Sequence, residues 1–287
     1  MIQQLSPHIP DYELIDSGDG QKLEGFGDYV LRRPCSQAMW RTTLGEAEWR
    51  RADASFDRED GNRWHGRGNL PKEWNIETAG VKFKLGGTDF GHLGIFPEQR
   101  AQWKWIRETV RENGGARNAV LNLFAYSGGS TLAGALGGAE ACHLDASKGM
   151  VEWARENAAL NGLADRPIRW IVDDAHKFMQ REVRRARKYD AVILDPPTFG
   201  RGANKEMYKI ERDLKTTLSL VKELLSDNPL FVLFSSHTPG VSQIVAENML
   251  SQVFPGAETE SGEMLLEGKS LQCPSGIFCR VFSLQTS

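Results

Sequence analysis

The sequence predicts an α/β fold, a parallel sheet with helices on both faces, preceded by a small β-rich segment. Three observations lead there. From about residue 95, apolar strands alternate regularly with amphipathic stretches. Before residue 86, short segments are punctuated by glycine turns. The length, 287 residues, suits two domains at roughly 150 residues each. We therefore place a β-rich domain at residues 1–86 and the α/β domain at residues 87–287.

Composition narrows the class. Hydrophobic residues make up 40% of the chain and charged residues 25%, which excludes disorder and collagen-like repeats. No apolar run approaches the roughly 18 residues of a membrane span. The opening Met1-Ile-Gln-Gln-Leu-Ser-Pro has neither a basic start nor an apolar stretch, so a cytoplasmic protein without a signal peptide is expected. With 35 basic against 38 acidic residues the net charge is −3, which argues against wholesale coating of nucleic acid but leaves room for a local basic surface. Four cysteines without a CxxC pair and six histidines without HxxxH spacing indicate neither a zinc site nor a disulfide framework. The two nearest in sequence, Cys273 and Cys279, flank a Pro-Ser-Gly turn.

In the first domain, turns at residues 17–20, 25–27, 60–62 and 66–68 separate short strands such as 28–32 and 81–85. Trp40, Trp49, Trp64 and Trp74 lie close to Arg41, Arg50, Arg51, Arg63 and Arg67. Interleaved Trp and Arg can stack bases and hold phosphates, making this a substrate-binding module. Equally, the aromatics can be the core of a small sheet with Arg on its exterior.

In the second domain, Pro97 opens a helix in which Trp103, Ile106 and Val110 recur at spacings of three and four, and Gly114-Gly115 close it. Strands follow at 119–125, 139–145, 168–172, 189–194 and 230–235, with two more around 263–267 and 278–284. Ser147 caps a helix that runs to Leu160 and stops at Asn161-Gly162. A basic helix separates the third and fourth strands. Ile210, Leu214, Val221 and Leu225 mark one face of a long helix that ends at Asp227-Asn228-Pro229.

Ligands of such sheets bind beyond the carboxyl ends of the strands. After the first strand stands Phe124-Ala-Tyr-Ser-Gly-Gly-Ser-Thr131, where Gly128 and Gly129 permit a tight turn and the following helix offers free N–H groups to an anion. The turn is not GxGxxG, which demotes a nicotinamide-dependent oxidoreductase. Asp145 ends the second strand, where a carboxylate can accept both ribose hydroxyls of a nucleoside. Asp173-Asp174-Ala175 follow the third, where a second carboxylate can receive an exocyclic adenine N–H; each acid can also be a solvated loop residue. Asp195-Pro-Pro-Thr-Phe-Gly200 follows the fourth. Its prolines stiffen the segment, so the Asp195 carboxylate and Pro196 carbonyl form a fixed acceptor pair and Phe199 can face a planar substrate.

The stretches Asn122-Leu-Phe-Ala-Tyr-Ser-Gly-Gly-Ser, Trp153-Ala-Arg-Glu-Asn-Ala-Ala-Leu-Asn-Gly-Leu163, Asp174-Ala and Asp195-Pro-Pro-Thr-Phe resemble the class I S-adenosylmethionine-dependent methyltransferases. More narrowly they resemble the branch that modifies large-subunit ribosomal RNA, which includes cytosine-C5 and guanine-N7 enzymes. The resemblance implies a Rossmann-like seven-stranded methyltransferase sheet and S-adenosyl-L-methionine as cofactor. It implies cofactor contacts from Tyr126, Ser127, Gly128, Gly129, Asp145, Ala146, Asp174, Ala175 and Asp195, with Gly128 beside the methionine part, Asp145 on the ribose and Asp174 on the adenine. It further implies that residues 92–100, including Phe96, help close over the cofactor.

The cytosine-C5 members attack the ring with a cysteine after the fourth or fifth strand. Here those positions read Asp-Pro-Pro-Thr-Phe and Phe234-Ser-Ser-His-Thr238, without cysteine. That argues against 5-methylcytosine and for a nitrogen acceptor, and Thr198 standing before Phe199 favours a ring nitrogen over an exocyclic amine. The expectation is methylation of an RNA base, with Asp195, Pro196 and Phe199 as the catalytic residues, no metal and no membrane partner. The rivals are a methyltransferase of protein side chains or small molecules, and a non-catalytic RNA-binding assembly factor. Three features carry less. The basic run Arg181-Glu-Val-Arg-Arg-Ala-Arg-Lys188 either tracks phosphates or is a solvated helix face; Gly200-Arg-Gly-Ala-Asn-Lys205 is either a lid or an ordinary loop; His237 either faces the cleft or is structural.

Overall fold

The computed structural model describes residues 2–5, 12–58, 60–201, 207–268 and 271–284, with the backbone alone for 2–5 and 201. Two compact units emerge. One, the α/β unit, comprises residues 1–3, 102–263 and 276–287; the other, the β unit, comprises residues 4–101 and 264–275. Residues 87–101 and 264–275 thus cluster with the β-rich segment.

After a short strand β1 (Ile2–Leu5), the β unit builds a five-stranded sheet in the order β2-β3-β4-β5-β6 from β2 (Tyr12–Gly18), β3 (Gln21–Phe26), β4 (Tyr29–Pro34), β5 (Ala54–Asp57) and β6 (Arg63–His65). A short helix α1 (Glu46–Trp49) precedes β5, and β7 (Trp74–Thr78) pairs with β8 (Val81–Leu85) in a separate hairpin. Alternating residues Tyr12, Leu14, Leu23, Leu31 and Phe56 are buried. The four tryptophans act as anchors of this unit. Trp49 donates to Asp16 Oδ2 at 3.0 Å, while Trp40, Trp64 and Trp74 donate to the carbonyls of Ser17, Thr88 and Phe26 at 2.8, 2.7 and 3.1 Å. Neighbouring arginines pair with acids: Arg50 with Glu46, Arg63 with Asp60 and Arg67 with Asp89. These contacts suit the packing role for Trp49, which is buried, while Trp40, Trp64 and Trp74 are half-buried. Cys273, returned here by the end of the chain, meets Cys35 with their sulfurs 3.3 Å apart, whereas Cys279 lies in the α/β unit.

At the end of the β unit's first stretch, Pro97–Gln99 form a 3-10 turn rather than the first α-helical turn, and α2 (Arg100–Glu112) follows, most of it in the α/β unit. The large sheet has the order β1-β16-β17-β15-β12-β9-β10-β11. Its strands are β9 (Ala119–Leu123), β10 (Glu140–Asp145), β11 (Ile168–Val172), β12 (Ala191–Leu194), β15 (Phe231–Ser236), β16 (Glu258–Glu267) and β17 (Gln272–Phe282), with a small hairpin of β13 (Phe199–Arg201) and β14 (Met207–Lys209) after β12. The five strands from β15 to the β11 edge are parallel, and β17 pairs antiparallel with β15. The seven anticipated strands are present, and β1 adds an eighth at the edge. Helices α3 (Gly129–Leu136), α4 (Lys148–Leu160), α5 (Ala175–Arg184), α6 (Ile210–Leu224) and α7 (Gln243–Val253) join them.

Strands β12 and β15 are buried along their whole length, as a sheet covered on both faces requires. On α6, Ile210, Leu214, Leu218 and Val221 face that core. Ser147 caps α4, its side chain accepting from the Met150 N–H. Helix α7 buries only Ala246 and Leu250, too narrow a stripe to signal itself by periodicity. Among the described residues no helix is long and apolar enough to cross a membrane.

Candidate cofactor and acceptor site

Parallel registers bring four strand ends to one edge. Leu194 stands beside Leu123, Leu123 beside Leu144, and Asp145 beside Val172. Phe124, Asp145, Asp173 and Asp195 therefore all leave the sheet on its carboxyl side. The chain runs from β9 outward through β10 to β11, then returns to place β12 on the other flank of β9. That reversal is the switch point where open sheets of this kind bind ligands.

The β9 exit is an unusual piece of backbone. Phe124, Tyr126 and Gly128 hold left-handed φ angles of +56°, +50° and +96°, the first two at a cost that a non-glycine residue rarely bears. This is why β9 stops at Leu123 and not at residue 125. Hydrogen bonds hold the turn in place: Ala125 N donates to Leu144 O at 3.0 Å, and Gly128 N to Ala125 O at 3.0 Å. Tyr126 N donates to Asp145 Oδ2 at 2.9 Å, and Ser147 N to Asp145 Oδ1 at 2.8 Å. The carboxylate keeps acceptor capacity for a ligand beyond these bonds. Burial pushes the Asp145 carboxyl above the usual aspartate range, against the pull of the Ser147, Tyr126 and Ala146 N–H groups.

Below the turn, Asn157 Nδ2 donates to Ser127 O at 2.9 Å. Asn122 Nδ2 donates to Thr131 Oγ1, which meets His143 Nδ1, both at 2.9 Å and fully inside the protein. Sequence reasoning misses the support these four side chains give, although polar Asn122 and His143 inside apolar strands are a visible signal. Gly128 is the N-cap of α3 and supplies no side-chain acceptor, so the first-turn N–H groups of the helix remain available to an anion. A Cβ at Gly128 would come within 3.0 Å of Ala154 Cβ. Gly129 is required for a separate reason, since a Cβ there would be 2.6 Å from the Trp103 ring.

At the end of β11 the two acids play different parts. Asp173 pairs with Arg181. Asp174 caps α5, its Oδ1 accepting from Lys177 N at 2.9 Å, and the other oxygen bonds no described residue. Ala175, the first residue of α5, is buried.

After β12, Pro196 is buried while Phe199 is 60% exposed and opens the β13–β14 hairpin opposite Lys209. The Lys209 ammonium lies 5.8 Å from the Phe199 ring centroid. His237 Nδ1 stands 3.6 Å from Asp195 Oδ1, so it does face this edge. The hydroxyls of Thr198 and Thr238 meet at 2.8 Å and tie the Pro-Pro segment to the end of β15. Of the segment 200–205, the part from residue 202 onward lies outside the described residues. Phe96 belongs to the β unit, where its ring packs edge-on against His92 at 5.4 Å. The other anticipated residues belong to the strand ends of the α/β unit.

A family model for S-adenosylmethionine-dependent methyltransferases matches residues 50–242, two thirds of the chain. This chain belongs to that family. The crystal structure of a methyltransferase from Agrobacterium tumefaciens superposes on this methyltransferase with a TM-score of 0.93 at 36% identity, covering 100% of this chain and 94% of the other. A methyltransferase from Streptococcus mutans shares the fold, with a TM-score of 0.73 at 19% identity over 96% of this chain and 76% of its own. Curated relatives named ribosomal RNA large subunit methyltransferase K/L match too. The protein from Pseudoalteromonas translucida is 31% identical over 167 residues, which are 58% of this chain and 22% of the relative. That from Shewanella frigidimarina is 34% identical over 162 residues, 53% and 21% respectively. The methyltransferase thus spans about a fifth of the length of those relatives. Its cofactor is S-adenosylmethionine, and the carboxyl edge just described fits it: an uncapped helix N-terminus for a carboxylate, and two aspartates with acceptor capacity to spare for hydroxyl and amine donors.

Proposed function

We propose that this methyltransferase acts in the cytoplasm and modifies a ring nitrogen of a base in large-subunit ribosomal RNA. The observation that carries the reading is the Asp195-Pro-Pro-Thr-Phe segment at the switch point, with its stiff acceptor pair and exposed Phe199. The naming of the curated relatives supports the substrate class. All four cysteines are buried and free, and neither strand end offers one, which supports a nitrogen acceptor over a covalent route to C5.

Asp145 accepts the ribose hydroxyls with the lone pairs left over from Tyr126 and Ser147, and Asp174 receives the adenine amine with its free oxygen. The α3 N-terminus behind Gly128 faces the methionine carboxylate. S-adenosylmethionine, when bound, supplies an electrophilic methyl group. The Asp195 carboxylate and Pro196 carbonyl hold the base by its N–H groups, Phe199 stacks on its face, and His237 sets the orientation of Asp195. Catalysis then comes mainly from alignment, which can supply several orders of magnitude. The base must leave its stack to reach this edge.

The test is transfer of labelled methyl from S-adenosylmethionine to RNA and to protein extracted from a strain lacking the gene, followed by nucleoside analysis. Label in a single methylated base of ribosomal RNA is expected; label in protein alone would refute the substrate. Asp195→Ala should reduce transfer at least about 100-fold, far more than it weakens S-adenosylhomocysteine binding. Full activity of that variant would remove Asp195 from the assignment.

A further inference from the structure

The opposite edge of the same sheet carries a second concavity. At the amino ends of β9, β10, β11 and β12 lies a cavity of about 200 Å³ lined by Glu140, Arg166, Arg169, Arg187 and Tyr189, among others. Strands of about four to six residues, at about 3.3 Å per residue, put it roughly 13–20 Å from the carboxyl edge. It is not part of the cofactor site.

Its charges do not balance. Arg169 donates to Glu182 at 2.8 Å and to the Tyr189 hydroxyl at 3.0 Å, and Arg185 reaches the same Glu182 at 3.3 Å. Arg187 has only a loose contact of 3.9 Å to the exposed Glu140, and Arg166 spends one N–H on the Gly138 carbonyl at 2.8 Å. Three guanidinium groups, those of Arg166, Arg169 and Arg187, therefore line the cavity with the single carboxylate of Glu140, and Arg166 and Arg187 are both exposed with donors to offer. Like charges gathered around a hollow repel one another, and an anion placed there relieves that repulsion. The planar fork of arginine matches the oxygens of a phosphate. Arg185 and Arg187 come from the basic run at the end of α5, whose Arg181 is already held by Asp173.

We propose that this amino-edge pocket binds a phosphate group, with Arg166 and Arg187 closing on its oxygens, and that the phosphate is one of an RNA strand flanking the methylated base. The last clause rests on the RNA reading above; the phosphate chemistry does not. Glu140 opposes the bound anion and swings away from Arg187 when it enters.

The experiment compares the full chain with the double variant Arg166→Gln/Arg187→Gln, and with Arg111→Gln as a control for loss of an exposed charge on α2. Anisotropy of a labelled single-stranded RNA at several salt concentrations, calorimetric titration with AMP and inorganic phosphate, and S-adenosylhomocysteine binding are measured on each. The double variant should bind RNA about tenfold more weakly, with a log–log salt slope shallower by about 0.7 for each phosphate lost. Cofactor binding and the control should be unchanged. If RNA binding is unaffected but AMP or phosphate binding is lost in the double variant, the pocket holds a free phosphate compound and the RNA clause is overturned. If wild-type protein binds AMP or phosphate here but no RNA at all, the substrate reading fails while the pocket stands. Unchanged RNA binding together with no phosphate or AMP binding overturns the proposal.

Discussion

His143 sits inside β10 with its Nδ1 engaged by Thr131 and its other ring nitrogen buried without a partner among the described residues. Burial lowers its pKa from 6.5 to about 3. Between those values the unfolded chain binds a proton that the folded imidazole refuses, so stability rises with pH across the window and falls on acidification. The slope contributed is about 1.4 kcal/mol per pH unit. Urea midpoints measured from about pH 4 to 7 should therefore fall more steeply toward acid in wild type than in His143→Gln; parallel profiles would refute the assignment. Cys35 is perturbed by a different cause. Its thiol is lowered, chiefly by the Cys273 thiol 3.3 Å away, which can donate to the Cys35 sulfur. In Cys273→Ala that donor is gone, and the pH midpoint for alkylation of Cys35, followed by mass spectrometry, should move upward. An unmoved midpoint would assign the shift to some other group. Nothing in the spacing of the cysteines suggests this pair: the two nearest in sequence, Cys273 and Cys279, part company, and Cys273 meets a residue 238 positions away.

At the scale of elements, what binds the cofactor edge together is the contact of turn with helix. Gly129 opens α3 directly against Trp103 of α2, and an added methyl would lie 2.6 Å from the indole ring. Gly129→Ala should cost about 1–3 kcal/mol through overpacking. The double variant Gly129→Ala/Trp103→Ala should be more stable than the sum of the single effects predicts, and strict additivity in thermal unfolding would show that the ring yields freely. The strands and the caps of α4 are legible in the sequence because burial on both faces makes apolar runs and because Ser147 and Asn161-Gly162 are local signals. Asp145, Asp174 and Asp195 are legible because topology alone puts strand ends at the ligand edge. Helix α7 and the three-residue strands β13 and β14 are not, since each buries too little to leave a period. The sequence marks Asp174 as a ligand acceptor or a solvated loop acid, and gives no sign that it caps α5.

At the scale of the molecule, the β unit is closed by chain that arrives last. Leu14 of β2 and Leu266 of β16 are both almost wholly buried, and Leu14 bridges to Gly268. Leu14→Ala and Leu266→Ala should each destabilise by about 2–5 kcal/mol. Both should lower the same unfolding transition, monitored by proteolysis of the β unit; separate transitions would show that residues 264–275 are not integral to it. The amino acid sequence by itself determined the α/β class, the seven main strands and the helices from α2 to α6, the acidic strand ends and the Pro-Pro segment. All of these follow from periodicity, capping and turn chemistry acting over a few residues, and from the rule that places ligands at strand ends. Only the tertiary structure decided that Tyr126 and Asp145 interlock, that His237 meets Asp195, that Cys35 meets Cys273, and that residues 264–275 complete the first unit. Those outcomes depend on contacts between residues far apart in the chain, and no local energy term encodes them.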